Sequence, residues 1–146
     1  APDSRMSETA KKFGVFIDDL TARQFVVSDF DRFDLIYAMD TSNYNNIISL
    51  ARNDTDISKV KLILNESHPD QDLSVPDPYY GGDQGFIDVY NLLDETTDII
   101  MKKIILKIEK DASDKKVKER VHQLIDEFYS VPFNKSIRLV IDVDPA

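Results

Sequence analysis

Asp77 stands between two prolines in the stretch Val75-Pro76-Asp77-Pro78-Tyr79-Tyr80-Gly81-Gly82. Proline fixes φ and glycine tolerates φ values barred to other residues, so this loop holds one carboxyl and two phenol rings in set places. A carboxyl held in that way suits general acid work, which needs a proton donor within hydrogen-bond reach of the reacting atom. Such an acid must serve a nucleophile. The 146 residues contain no cysteine, and the two histidines lie away from the motif. His68 sits in a polar stretch and His122 beside the apolar stripe of a later helix, neither with a second ligand at metal spacing, so no metal is expected. The acidic run from Asp70 to Asp77 lacks the spacing and closing Glu of a calcium loop. No cofactor is expected.

The elements that must place this loop follow from periodicity and punctuation. Ser4 to Phe13 predicts a helix stopped by Gly14. Phe33 to Asp40 is apolar on both faces and predicts a central strand. Asp40, Thr41 and Ser42 can cap a helix over Asn43 to Arg52. Val60 to Leu64 predicts the next strand, and a polar loop then runs through Pro69 to Gly82. A helix begins near Gln84 to Phe86, with Phe86, Val89, Tyr90, Leu93, Thr97 and Ile100 on one stripe. Lys103 to Lys110 alternates Ile104, Leu106 and Ile108 with Ile105, Lys107 and Glu109, which predicts a strand. A capped helix from Asp111 or Ser113 to Tyr129 and a strand from Ser136 to Val143 complete an α-β-α-β-α-β-α-β order. That order predicts an α/β fold, a mostly parallel four-stranded sheet with helices on both faces. Polar residues on one face of the last two strands leave a second reading open, an α+β arrangement with a ferredoxin-like two-layer C-terminal unit.

A hydrophobic content of 42% is enough to bury a core, and the length suits one domain. The net charge of −9 argues against nucleic acid or an anionic membrane as the main partner. No apolar run approaches the roughly 18 residues of a membrane span, and no signal-peptide pattern is present. The start at Ala1, without methionine, reads as a processed or excised chain. Charge is uneven: residues 1–99 carry 8 basic against 19 acidic side chains, net −11, and residues 100–146 carry 10 against 8, net +2.

Three stretches carry a family resemblance: Leu20 to Phe25 (LTARQF), Asp29 to Asn43 (DFDRFDLIYAMDTSN) and the VPDPYYGG loop, followed in order by the helix Gly85 to Ile100. Residues 1–102 resemble the low-molecular-weight protein tyrosine phosphatases without their N-terminal catalytic-loop third. The resemblance implies that Asp77 occupies the place of the general acid that protonates the leaving oxygen, and that Tyr79 and Tyr80 occupy the pocket rim. It also implies a C-x5-R loop whose thiolate attacks phosphorus, and no such loop occurs in these residues. Residues 104–146, ending in Ile141-Asp142-Val143-Asp144-Pro145, resemble the C-terminal end of the primosomal replication-restart DNA helicase.

Together the two resemblances imply a single composite domain over 1–146, a phosphatase-like segment (1–102) joined to a helicase-like β-α-β segment (103–146). Its topology would be flavodoxin-like and circularly permuted in appearance. The expectation is an engineered or recombined chimera with no evolved catalytic function, in which Asp77 is a vestigial acid and Tyr79 and Tyr80 a vestigial rim. Two other expectations stand beside it: a weak phosphate or phosphotyrosine-binding module without hydrolysis, and a self-associating, domain-swapped homo-oligomer. The parent sequences look cytoplasmic.

Overall fold

The structure is a computed structural model, and it describes residues 2–111, 115–116 and 119–120. In chain order the elements are α1 (Ser4–Lys12), α2 (Asp29–Arg32), β1 (Ile36–Ala38), α3 (Thr41–Ile48), α4 (Asp54–Lys59), β2 (Val60–Leu62) and α5 (Gly82–Asp111). Two 3-10 turns, Ile63–Asn65 and Pro78–Gly81, lie between β2 and α5.

Local chemistry explains where these elements start and stop. Asp3 caps α1 by accepting from the Arg5 amide at 2.8 Å. Gly14, at φ 78°, ends that helix in the left-handed region that an L side chain resists. Asp40 caps α3 through the Asn43 amide at 2.7 Å, and Asn53 caps α4 through the Asp56 amide at 2.9 Å. Each cap gives a partner to one of the amides a helix start leaves unbonded.

β1 and β2 pair in parallel, with Ile36 opposite Val60 and Ala38 opposite Leu62. Strand side chains alternate between faces, and the two cores follow that alternation. Ile36, Ala38, Val60 and Leu62 pack with Phe25, Phe30 and Ile47 in one cluster. Tyr37 packs against the other cluster, formed by Met39, Ile63, Leu64 and Ile100, with Leu93 and Ile104 of α5 against it. The short sheet thus has α2 and α3 on one face and α5 on the other.

The strand predicted at Lys103 to Lys110 is instead the last part of the 30-residue α5. Its alternation contains the helical spacing as well: Ile100, Ile104 and Ile108 are four apart. Ile100 is buried and Ile104 packs beside it, while Leu106 is 64% exposed, as one helix face predicts and one strand face does not. No Gly or Pro occurs between Phe86 and Val131, so neither ends the helix early. This correction also removes a strand from both the four-stranded and the ferredoxin-like readings. The described residues form a two-stranded parallel sheet. The helix predicted to reach Tyr129 lies mostly outside the described residues, and the strand Ser136 to Val143 lies wholly outside them.

Charged groups fasten the loops. Asp29, fully buried, accepts from Arg23 Nη1 at 2.8 Å, Arg23 Nη2 at 2.7 Å and the Val26 amide at 3.0 Å. Arg52 joins Asp31 (Nη2–Oδ1 2.6 Å) to the buried Asp56 (Nε–Oδ2 2.8 Å). Both buried carboxyls are held below their usual range, chiefly by hydrogen bonds from these guanidinium groups. Glu66 links three elements, accepting from Tyr37 Oη at 3.1 Å and from Lys103 Nζ at 2.7 Å. Burial pushes the Tyr37 hydroxyl well above its usual range, and the Glu66 charge adds to that.

Ile63, fully buried where the sheet meets α5, gives a direct test of the packing. Ile63→Ala should cost about 2–5 kcal/mol, because surrounding side chains refill such a cavity only in part. Urea unfolding should show a lower midpoint at unchanged slope. A loss under about 0.5 kcal/mol would mean that the site is not core.

Candidate active site

The acid loop is fastened to the end of the sheet. The Val75 amide donates to the Met39 carbonyl at 2.8 Å, just past β1. The Thr41 amide, one of the unbonded donors at the start of α3, donates to Ser74 Oγ at 3.3 Å. The loop therefore leaves the C-terminal edge of β1, the edge at which open parallel sheets place their ligands.

Asp77 then caps the 3-10 turn Pro78–Gly81. Its Oδ1 accepts from the Tyr79 amide at 2.9 Å, and Pro78 supplies the fixed φ of the first position. Gly82, at φ 60°, turns the chain into α5. Gly85 is required for another reason: a Cβ there would lie 3.0 Å from the Pro78 carbonyl oxygen, so α5 and the turn meet backbone to backbone. Asp77 is exposed, and its Oδ2 has no hydrogen bond among the described residues. That arrangement is chemically useful. The oxygen accepting an N–H bond is the poorer site for a proton, which leaves Oδ2 as the better one.

The ring of Tyr79 is 60% exposed. The guanidinium carbon of Arg5 lies 4.8 Å from its centroid and 4.9 Å from that of Phe86 at the start of α5. Arg5 is fixed in turn by a two-point bond to Asp3, Nε–Oδ1 at 3.1 Å and Nη2–Oδ2 at 2.8 Å. Behind this group Phe13 and Tyr90 stack at 4.3 Å, joining the end of α1 to α5. Of the three residues singled out from sequence, Asp77 and Tyr79 come together through the Tyr79 amide, and Tyr80 follows in the same turn. Arg5 went unnoticed, because no local pattern announces a cation that meets its rings across the fold.

Other places are less suited to chemistry. A cleft of about 490 Å³ is lined by Thr41, Tyr44, Lys61, Asn65, Glu66 and Asp72, and Asp77 is not part of that lining. Its two carboxylates are already engaged: Glu66 binds Lys103, and Asp72 binds Asn65 at 2.9 Å. His68 Nδ1 lies 3.0 Å from Ser67 Oγ. Among the described residues no group of His, Cys, Asp and Glu side chains could hold a metal ion.

With this geometry in place, comparison with known proteins is informative. The sequence profile of the low molecular weight phosphotyrosine protein phosphatases matches residues 1–114. The chain belongs to that family. A Synechocystis sp. protein assigned to the low molecular weight protein-tyrosine-phosphatases is 45% identical over 95 residues, 65% of this chain and 60% of its own length. The low molecular weight phosphotyrosine protein phosphatase of Schizosaccharomyces pombe is 40% identical over 103 residues, 70% of this chain and 65% of its own length. A crystal structure of a protein tyrosine phosphatase from Entamoeba histolytica, with Hepes in the active site, superposes with a TM-score of 0.62 at 33% identity, covering 70% of this chain and 64% of that one. The chain spans 60% and 65% of the length of these two curated relatives.

These findings overturn two expectations. The chimera with a junction between residues 102 and 103 is ruled out as a reading: the family match runs on to residue 114 and α5 crosses the supposed junction unbroken. The expectation of a non-enzymatic chain without evolved catalysis is overturned as well, since the family is one of phosphatases. That expectation leaned on the lack of cysteine in residues that span only part of the relatives' length, and such a lack says nothing of the family's chemistry.

Asp3 offers a pH test of the fork that holds Arg5. Its carboxyl is lowered from 3.8 to about 2, first by the Arg5 side-chain hydrogen bond and then by the bond from the Arg5 amide. A depressed carboxylate contributes its stabilisation in full above the unfolded value of 3.8 and loses it as pH falls through about 2. A carbon-detected NMR titration should place the Asp3 midpoint near 2 and move it up toward 3.8 in Arg5→Met. An ordinary midpoint in the unaltered chain would mean that the fork does not hold in solution.

Proposed function

We propose that this chain carries the general-acid part of a phosphotyrosine phosphatase, with Asp77 as the acid and Tyr79 and Tyr80 at the rim of the aryl pocket. The carrying observation is the fastened acid loop. Asp77 is held at the C-terminal edge of the sheet by the Val75 to Met39 bond, with Oδ1 accepting from the Tyr79 amide and Oδ2 without a hydrogen bond among the described residues. Its family membership supplies the reaction class.

In the reaction proposed, a nucleophile takes the phosphoryl group and the P–O bond to the phenol breaks. The electron pair stays on the phenolic oxygen. Asp77 Oδ2 gives its proton to that oxygen as the charge develops, so a neutral phenol leaves. The resulting Asp77 carboxylate can then take a proton from the water that frees the phosphoryl group, which restores the acid. The nucleophile, a cysteine thiolate in this family's chemistry, is not among the 146 residues. In this reading the present residues would contribute the acid and the aromatic rim.

The test is reconstitution. Joining a strand-loop-helix segment of the family, carrying its C-x5-R loop, ahead of Ala1 should yield hydrolysis of aryl phosphates. Asp77→Asn in that protein should lower kcat by about 10²–10⁴-fold, the span of one general acid, with the fold unchanged by circular dichroism. Equal rates with Asp and Asn at residue 77 would sink the assignment.

A further inference from the structure

We propose that Arg5 is a positioning residue for the acid loop: its guanidinium, stacked on Tyr79 and Phe86, holds the Pro78–Gly81 turn so that the Tyr79 amide stays bonded to Asp77. The proposal rests on Asp77 as the acid for its catalytic consequence, but its structural core stands by itself.

The turn needs such a support. It has four residues, its first partner Asp77 is exposed, and the glycines that follow it are the most permissive residues of the chain. The bond from the Tyr79 amide to Asp77 spans only two residues and costs little to break in water. Something outside the turn must favour the bonded state. Arg5 lies on α1, an element separate from both the turn and the strand end that carries Met39. Its guanidinium carbon is 4.8 Å from the Tyr79 centroid and 4.9 Å from the Phe86 centroid, so one planar cation bridges the turn and the first turn of α5.

The cation is itself held in place. Both carboxylate oxygens of Asp3 bind it, and Asp3 is already fixed as the cap of α1. The charges around Arg5 agree with this placement, since its proton is held more tightly first by the Asp3 hydrogen bond and further by the nearby Tyr79 and Asp77. The chain therefore runs from Asp3 to Arg5, from Arg5 to the Tyr79 ring, and from the Tyr79 amide to Asp77 Oδ1. Lysine would keep the charge without the planar face and the two-point bond, so Arg5→Lys should restore only part of the effect.

The experiment uses the full 146-residue chain and needs no activity. The Tyr79 amide proton reports its bond to Asp77, because its NMR shift moves when that carboxylate titrates. In Arg5→Met the amplitude of this movement should fall by about half or more, the few-fold population change that stacking at an exposed site supports. Arg5→Lys should fall between, and Phe86→Leu, which leaves Arg5 and Tyr79 in place but removes one ring, should also reduce it. The circular dichroism spectrum should stay that of the unaltered chain. Unchanged amplitude in folded Arg5→Met would overturn the proposal, whatever the reconstituted enzyme does. A reduced amplitude with no effect of Asp77→Asn on the reconstituted rate would uphold the clamp and reject the acid assignment instead.

Discussion

The hydrogen bond from the Val75 amide to the Met39 carbonyl fixes the point where the acid loop leaves the sheet. Met39 can offer that carbonyl only because β1 ends at Ala38 and Asp40 turns the chain to cap α3. Val75 can reach it only because the two-stranded sheet holds β1 and β2 in register, with Ile63 and Leu64 packed beneath. The long stretch between β2 and α5 would otherwise be free to wander. Its two left-handed aspartates, Asp70 and Asp72, turn it back toward the sheet, and the mutual bonds of Asn65 and Asp72 close that turn. The acid loop inherits a position from the sheet rather than from its own residues.

A second set of contacts fixes the loop's other end. Pro78–Gly81 runs directly into α5, and Gly85 lets the helix backbone approach the Pro78 carbonyl. Helix α5 is in turn tied to β1 through Lys103, Glu66 and Tyr37, and to α1 through the stacked rings of Phe13 and Tyr90. The acid therefore sits between two anchored ends. Preorganisation of this kind removes motion that the proposed proton transfer would otherwise have to freeze out. It also explains why the loop carries two prolines and two glycines side by side: the prolines narrow its choices, while the glycines permit the sharp exit into α5.

Part of this was legible in the sequence. The cap at Asp40, the stop at Gly14 and the apolar strands around Ile36 and Val60 follow from local chemistry, and the structure places elements at each. The strands are shorter than their apolar runs, since only three residues of each make the ladder. Lys103 to Lys110 was misread because spacings of two and four coexist in it, and a short run of isoleucines satisfies both periods. Packing of Ile104 against the cluster of Met39, Ile63, Leu64 and Ile100 decides for the helix, and that contact is not visible in a linear sequence. The acid loop stood out because proline, glycine, tyrosine and aspartate are each unusual in their backbone or chemical demands. The Arg23–Asp29 pair did not, although both residues lie in stretches that carry the family resemblance, and neither did Arg52, whose second partner Asp31 lies in one of them.

The central claim is that Asp77 delivers the proton to the leaving oxygen. The most direct measurement is the dependence of kcat on leaving-group acidity for a series of aryl phosphates, made on the reconstituted phosphatase with Asp77 and with Asn at that position. A working acid cancels the charge on the departing oxygen, so the account predicts a shallow dependence with Asp77 and a steep one without it. Equally steep dependences in both proteins would contradict it.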